Sequence, residues 1–156
     1  MNVREFIESF LISEIGKLRL DYPFQSFTLM ATGIEFLGKC LTMYPWDVDG
    51  KSSEEFKKAI DDLENFEKYR GIDQLYKKLR CGLAHLGIPK IGIMLDRNKN
   101  ALENNPVIIG CDEFYEDFKN ACIEVLENKN GVVKKNLDEN YAIIEGTITA
   151  STQSNT

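Results

Sequence analysis

Near the start of the chain, apolar side chains fall at Val3, Phe6, Ile7, Phe10, Ile15 and Leu18, with charged and polar residues between them. That is the spacing of one stripe on a helix and predicts an amphipathic helix. Asp21 to Pro23 interrupts it, because proline disfavours helical backbone in the residue before it. A second stripe follows at Phe24, Phe27, Ala31, Ile34, Leu37 and Leu41, and the run YPWDVDGKSS ends it as a loop.

Ser52, with Glu55 three residues on, predicts a capping box for a third helix. Its stripe is Phe56, Ala59, Ile60, Leu63 and Phe66. Gly71 breaks or bends the path. Ile72, Leu75, Tyr76, Leu79, Leu83 and Leu86 then form a fourth stripe, which Gly87 and Pro89 stop. The next two apolar runs, KIGIMLD and NPVIIG, are short and rich in β-branched residues. They predict a small hairpin with a long loop. Asp112 is the expected N-cap of a last helix with its stripe at Phe114, Phe118, Cys122 and Val125. YAIIEGTIT reads as a third strand, and ASTQSNT as a frayed tail.

Four or five such helices must bury their stripes against one another. The fold class expected is therefore mainly α: an antiparallel helical bundle with a small β-hairpin or short sheet near the C-terminal part. One domain is expected over residues 1–149 and a tail over 150–156.

The 156 residues are enough for one domain with a real core. Hydrophobic residues make up 43% and charged residues 28%, the balance of an ordinary globular protein. The opening MNVREFIESF breaks its apolar pattern with charges, so it reads as neither a signal peptide nor a membrane span, and a cytoplasmic location with no membrane partner is expected. The formal net charge of −6 argues against a general nucleic-acid binder and leaves room for a local basic site. Cys40, Cys81, Cys111 and Cys122 are not spaced as C-x-x-C, and the single histidine cannot complete a Cys/His zinc set. They read as reduced thiols, mostly buried, and no metal or other cofactor is expected.

Two motifs fail on inspection. GIEFLGKC, Gly33 to Cys40, nearly matches a phosphate-binding loop. Cys40 lacks the hydroxyl that would meet magnesium, and the run lies inside a helical stripe with no strand before it. Its glycines predict close helix–helix approach instead. DVDG, Asp47 to Gly50, lacks the further oxygen ligands of a calcium loop and predicts a turn.

The run YKKLRCGLAHLG, Tyr76 to Gly87, carries more chemistry. On a helix, Arg80 and the lone His85 lie off opposite edges of the apolar sector, about 140° apart. The outer face between them holds Lys77, Cys81 and Ala84, with Lys78 beside His85. Cys81, Gly82 and Ala84 are small and predict a face that a second copy could approach. A two-fold dimer would then gather two Arg80 and two His85 side chains in one cleft, with Lys77 and Lys78 attracting a phosphate backbone. Histidine titrates near neutral pH and can take and give a proton. Arginine offers a permanently charged fork of donors that fits phosphate. The pair suits metal-independent RNA cleavage. A histidine at a helix C-terminus is also favoured by the dipole alone, so a plain structural reading stands beside the catalytic one.

LYKKLRCGLAHLG resembles the R-x4-6-H signature of the HEPN superfamily, with Arg80 and His85 in the motif positions. GIEFLGKCL resembles the second helix of small prokaryotic members, and DEFYEDFKNACIEVL resembles the helix that closes their bundle. The resemblance covers roughly residues 1–128. It implies a dimeric, metal-independent endoribonuclease of toxin–antitoxin or defence type, with RNA as substrate. A nucleotidyltransferase-type or other antitoxin would be its partner. His85 would be the base or acid and Arg80 the phosphate-stabilising residue. Cys81 stands where active members commonly carry asparagine. Some members are non-catalytic scaffolds or ligand-binding modules, so a helical interaction module of a defence or regulatory complex is the alternative, with a nucleotide-binding module as a third reading.

Overall fold

The computed structural model describes residues 1–140. Its first helix opens on a capping box. The Asn2 side chain accepts from the Glu5 N–H at 2.8 Å, and the Asn2 N–H donates to the Glu5 carboxylate at 3.0 Å. From α1 (Val3–Phe6) the helix continues through a π-wound stretch, Ile7–Glu14, into α2 (Ile15–Asp21). The chain turns at Tyr22 and re-enters helix at Pro23, whose fixed φ suits a first helical position. It then runs the length of α3 (Pro23–Cys40).

α3 is the centre of the bundle and packs against α2, α4 (Ser52–Asp62) and α6 (Cys111–Glu127). The close approach expected of its glycines is present. Gly38 lies directly on the Glu55 carbonyl of α4, and a Cβ at Gly33 would meet the Phe118 ring of α6 at 2.6 Å. Phe27 and Phe114 stack at 5.8 Å in the core, and Tyr69 meets Phe114 edge-on at 5.2 Å. Each fully buried aromatic of this kind contributes about 1.5–3 kcal/mol through burial.

The third helical segment divides where the sequence reads as continuous. α4 stops at Asp62, Leu63 is extended, and a 3-10 turn covers Glu64–Tyr69. Buried Glu124 receives the free amides of that turn, from Glu64 at 3.0 Å and Asn65 at 3.4 Å. The fourth segment begins at Tyr76, later than Ile72, as a π turn (Tyr76–Arg80) that becomes α5 (Cys81–Leu86). Gly87, at φ +72°, ends it.

Two expected caps differ. Lys51 occupies the N-cap position of α4, and no side chain caps it. Glu55 turns inward to the Lys39 ammonium, at 3.0 Å, instead of closing a box with Ser52. α6 starts at Cys111, so Asp112 is inside the helix and not its cap. The Arg97 and Asn98 carbonyls accept from the Asp112 and Glu113 amides in its place.

The β element is a short sheet, as expected, but parallel where a hairpin would be antiparallel. β1 (Ile93–Asp96) pairs with β2 (Val107–Gly110) in the register Ile93↔Val107. The long connection between them makes this reversal: it folds back beside β2, where Ala101 bridges Ile108 in antiparallel fashion. Asn100 fastens the loop by accepting from the Gly110 N–H and donating to the Tyr69 hydroxyl. Beyond α6, the Lys134 N–H donates to the Cys40 carbonyl, and Leu137 is buried against the bundle. All of the expected third strand and all of the expected tail lie outside the described residues. Among the described residues, no helix is long and apolar enough to cross a membrane.

Candidate functional site

Arg80 ends the π turn and Cys81 begins α5, so the motif straddles a change of helical winding. Arg80 does not project freely from the outer face. Its Nε donates to a carboxylate oxygen of Glu35 on α3 at 2.8 Å. The arginine side chain is 20% exposed and that of Glu35 only 10%, so this is a largely desolvated ion pair. The guanidinium also lies over the Tyr76 ring, at 5.8 Å. The terminal guanidinium nitrogens form no hydrogen bond among the described residues, and the side chain as a whole keeps 20% of its surface in solvent. Glu35 therefore fixes one edge of the guanidinium and leaves the fork available.

α3 carries a second buried pair one turn on. Lys39 reaches Glu55, which is fully buried. Glu35 and Lys39 lie four residues apart, yet each pairs with a different element, so the two charges tie α3 to the motif segment on one side and to α4 on the other.

Tyr76 links the site together. Its hydroxyl is held above the ordinary tyrosine range, first by burial and then by its hydrogen bond with Cys81. Cys81, expected as a small residue of the outer face, is half-buried beside Tyr76. Gly82, also named for the expected dimer face, sits differently from Ala84. It is buried under its own chain, and a Cβ there would lie 2.8 Å from the Ile88 carbonyl oxygen and the Lys90 nitrogen. Ala84 and His85 are exposed on the last turn, as expected. His85 makes no hydrogen bond or ion pair among the described residues.

Lys77 is exposed, whereas Lys78 is half-buried and paired with Asp73 at 3.0 Å. Within one chain, then, Arg80 turns inward to Glu35 while His85 faces outward. Glu35 and Tyr76 are the residues that sequence reasoning missed. A signal for Glu35 existed: it is a lone acid set between the buried positions Ile34 and Leu37 of α3. Among the described residues, no group of three or more His, Cys, Asp or Glu side chains is placed to hold a metal ion.

Compared with models of protein families, with curated proteins and with solved structures, the chain matches none.

Proposed function

We propose that the chain is a HEPN-like, metal-independent endoribonuclease of toxin or defence type that acts as a dimer. The observation that carries this reading is the Arg80 guanidinium, anchored at Nε by Glu35 with its terminal nitrogens open, on the same helical segment as the exposed His85. An arginine so held is preorganised to receive phosphate, because its orientation is set before the substrate arrives.

In the proposed reaction, His85 takes the proton from a ribose 2′-hydroxyl. The oxygen attacks the adjacent phosphorus, and the bond to the 5′-oxygen breaks. That oxygen leaves with a proton supplied by a histidine acting as acid. The charge that grows on the phosphoryl oxygens meets the Arg80 fork. Because Arg80 and His85 diverge within one chain, the composite site draws on both copies of the dimer. Lys77 attracts the backbone, and an antitoxin of nucleotidyltransferase type is the partner this reading implies.

The products test it. Single-stranded RNA incubated with the protein in EDTA should yield fragments ending in a 2′,3′-cyclic phosphate and beginning with a 5′-hydroxyl. Fragments with 5′-phosphates, or cleavage that stops in EDTA, would refute it.

A second reading, a non-catalytic helical interaction or scaffold module, has its own support. Leu86, Ile88 and Ile91, at the end of the motif helix and just beyond, are strongly exposed. It predicts intact RNA at every protein concentration.

A further inference from the structure

The chain concentrates aliphatic surface just beyond α5. Leu86 is 64% exposed, Ile88 63%, Ile91 98% and Met94 on β1 54%. Leu86, Ile88 and Ile91 line a groove of about 480 Å³ together with Lys77, Lys78 and Lys90, and no acidic or aromatic side chain lines it. In a chain of formal net charge −6, a groove whose only charges are positive is a distinct feature. The backbone beneath it is anchored. The Lys90 N–H donates to the Lys78 carbonyl at 2.8 Å, and Gly82 seats the turn carrying Ile88 and Pro89 directly on α5. An anchored backbone removes the cost of ordering the loop when the groove is filled.

We propose that this groove docks a segment of a partner protein bearing aliphatic side chains flanked by aspartate or glutamate. Aliphatic groups gain by leaving water against Leu86, Ile88 and Ile91. Carboxylates complement Lys77 and Lys90, Lys78 being already paired with Asp73, and like charges disfavour wrong partners. Single-stranded RNA is a poorer fit, because unpaired bases bind by stacking on aromatic rings and the groove has none. A second copy docked two-fold on the same patch would set lysines against lysines. The docked segment would lie beside His85, which immediately precedes Leu86 on the exposed turn. Docking requires neither Arg80 nor His85 to be catalytic, so this inference stands or falls apart from the ribonuclease reading.

The test is selection from a phage-displayed random-peptide library on the full-length chain, followed by titration of a synthetic copy of the enriched peptide. The expected result is enrichment of peptides combining Leu, Ile or Val with Asp or Glu. Their affinity should fall about tenfold or more in an Ile88→Arg/Ile91→Arg double variant. Both positions are exposed, so the variant should keep the wild-type circular dichroism and melting point. No enrichment, enrichment of basic or aromatic peptides, or binding indifferent to the double substitution overturns the proposal. So does a variant that loses affinity for a labelled single-stranded RNA, or loses self-association in sedimentation, while its peptide binding is unchanged.

Discussion

The Nε of Arg80 donates to the Glu35 carboxylate at 2.8 Å across the interface between the motif segment and α3. Both side chains are mostly shielded from water, so removing either partner leaves the other charged and poorly solvated. Glu35→Ala should destabilise the fold by about 2–4 kcal/mol, read from urea midpoints. Glu35→Gln retains an acceptor for Nε and should cost clearly less. Equal losses in the two variants would mean that the retained hydrogen bond contributes nothing and that the charge alone carries the effect.

Glycine packing along α3 gives a graded series. Gly38→Ala places a methyl group on the Glu55 backbone carbonyl, which cannot move without parting α3 from α4. Gly33→Ala meets the Phe118 ring, a side chain with some room to turn. Gly71 has open space around it. Overpacking costs about 1–3 kcal/mol and more when backbone is displaced, so melting points should fall most for Gly38→Ala, less for Gly33→Ala and hardly at all for Gly71→Ala. A Gly38→Ala protein as stable as Gly71→Ala would contradict the packing of α4.

The Tyr69 hydroxyl donates to Asp117 at 2.6 Å and accepts from Asn100 at 2.9 Å, which joins the loop between the strands to α6. Tyr69→Phe leaves both partners short of a bond and should cost about 1–2 kcal/mol. The local signature is faster hydrogen exchange at the Gly110 amide, which Asn100 holds at 2.8 Å. Unchanged exchange there would show that Asn100 is positioned without Tyr69.

Alkaline pH probes the buried thiols. Burial pushes Cys40 from an ordinary 9.0 up to about 12, and Cys122 is raised well above its ordinary value for the same reason. Between pH 9 and 12 the unfolded chain releases a Cys40 proton that the folded chain keeps. Stability is therefore fully present below pH 9 and declines as pH rises, by up to about 1.4 kcal/mol per pH unit for each thiol. Cys40→Ala should flatten the unfolding free energy against pH over this window. Parallel curves for the two proteins would contradict the assigned burial.

Much of this fold was legible because its stripes are regular. Phe27, Ile34, Leu37, Phe56, Leu79, Phe114 and Phe118 are buried as their spacing implied. Periodicity misjudged the ends of stripes, where Phe24 and Leu86 are exposed. An apolar residue at a helix terminus can hang past its neighbours, and spacing alone does not show that. The parallel strand pair was hidden because its direction is set by how residues 97–106 loop back, a matter of long-range pairing. The site was half legible. His85 is exposed as its place on the helix implied. Arg80 is turned inward by Glu35, 45 positions away in the chain, and no local pattern links the two.

The central claim is that His85 moves the proton in metal-independent RNA cleavage. The most direct test is cleavage of a labelled single-stranded RNA in EDTA by wild-type protein and by His85→Ala, with matched circular dichroism as the folding control. A general acid–base group contributes about 10²–10⁴-fold, so His85→Ala should lose at least about a hundredfold in rate while remaining folded. Cleavage at the wild-type rate by folded His85→Ala, or none by the wild-type protein, would contradict the account.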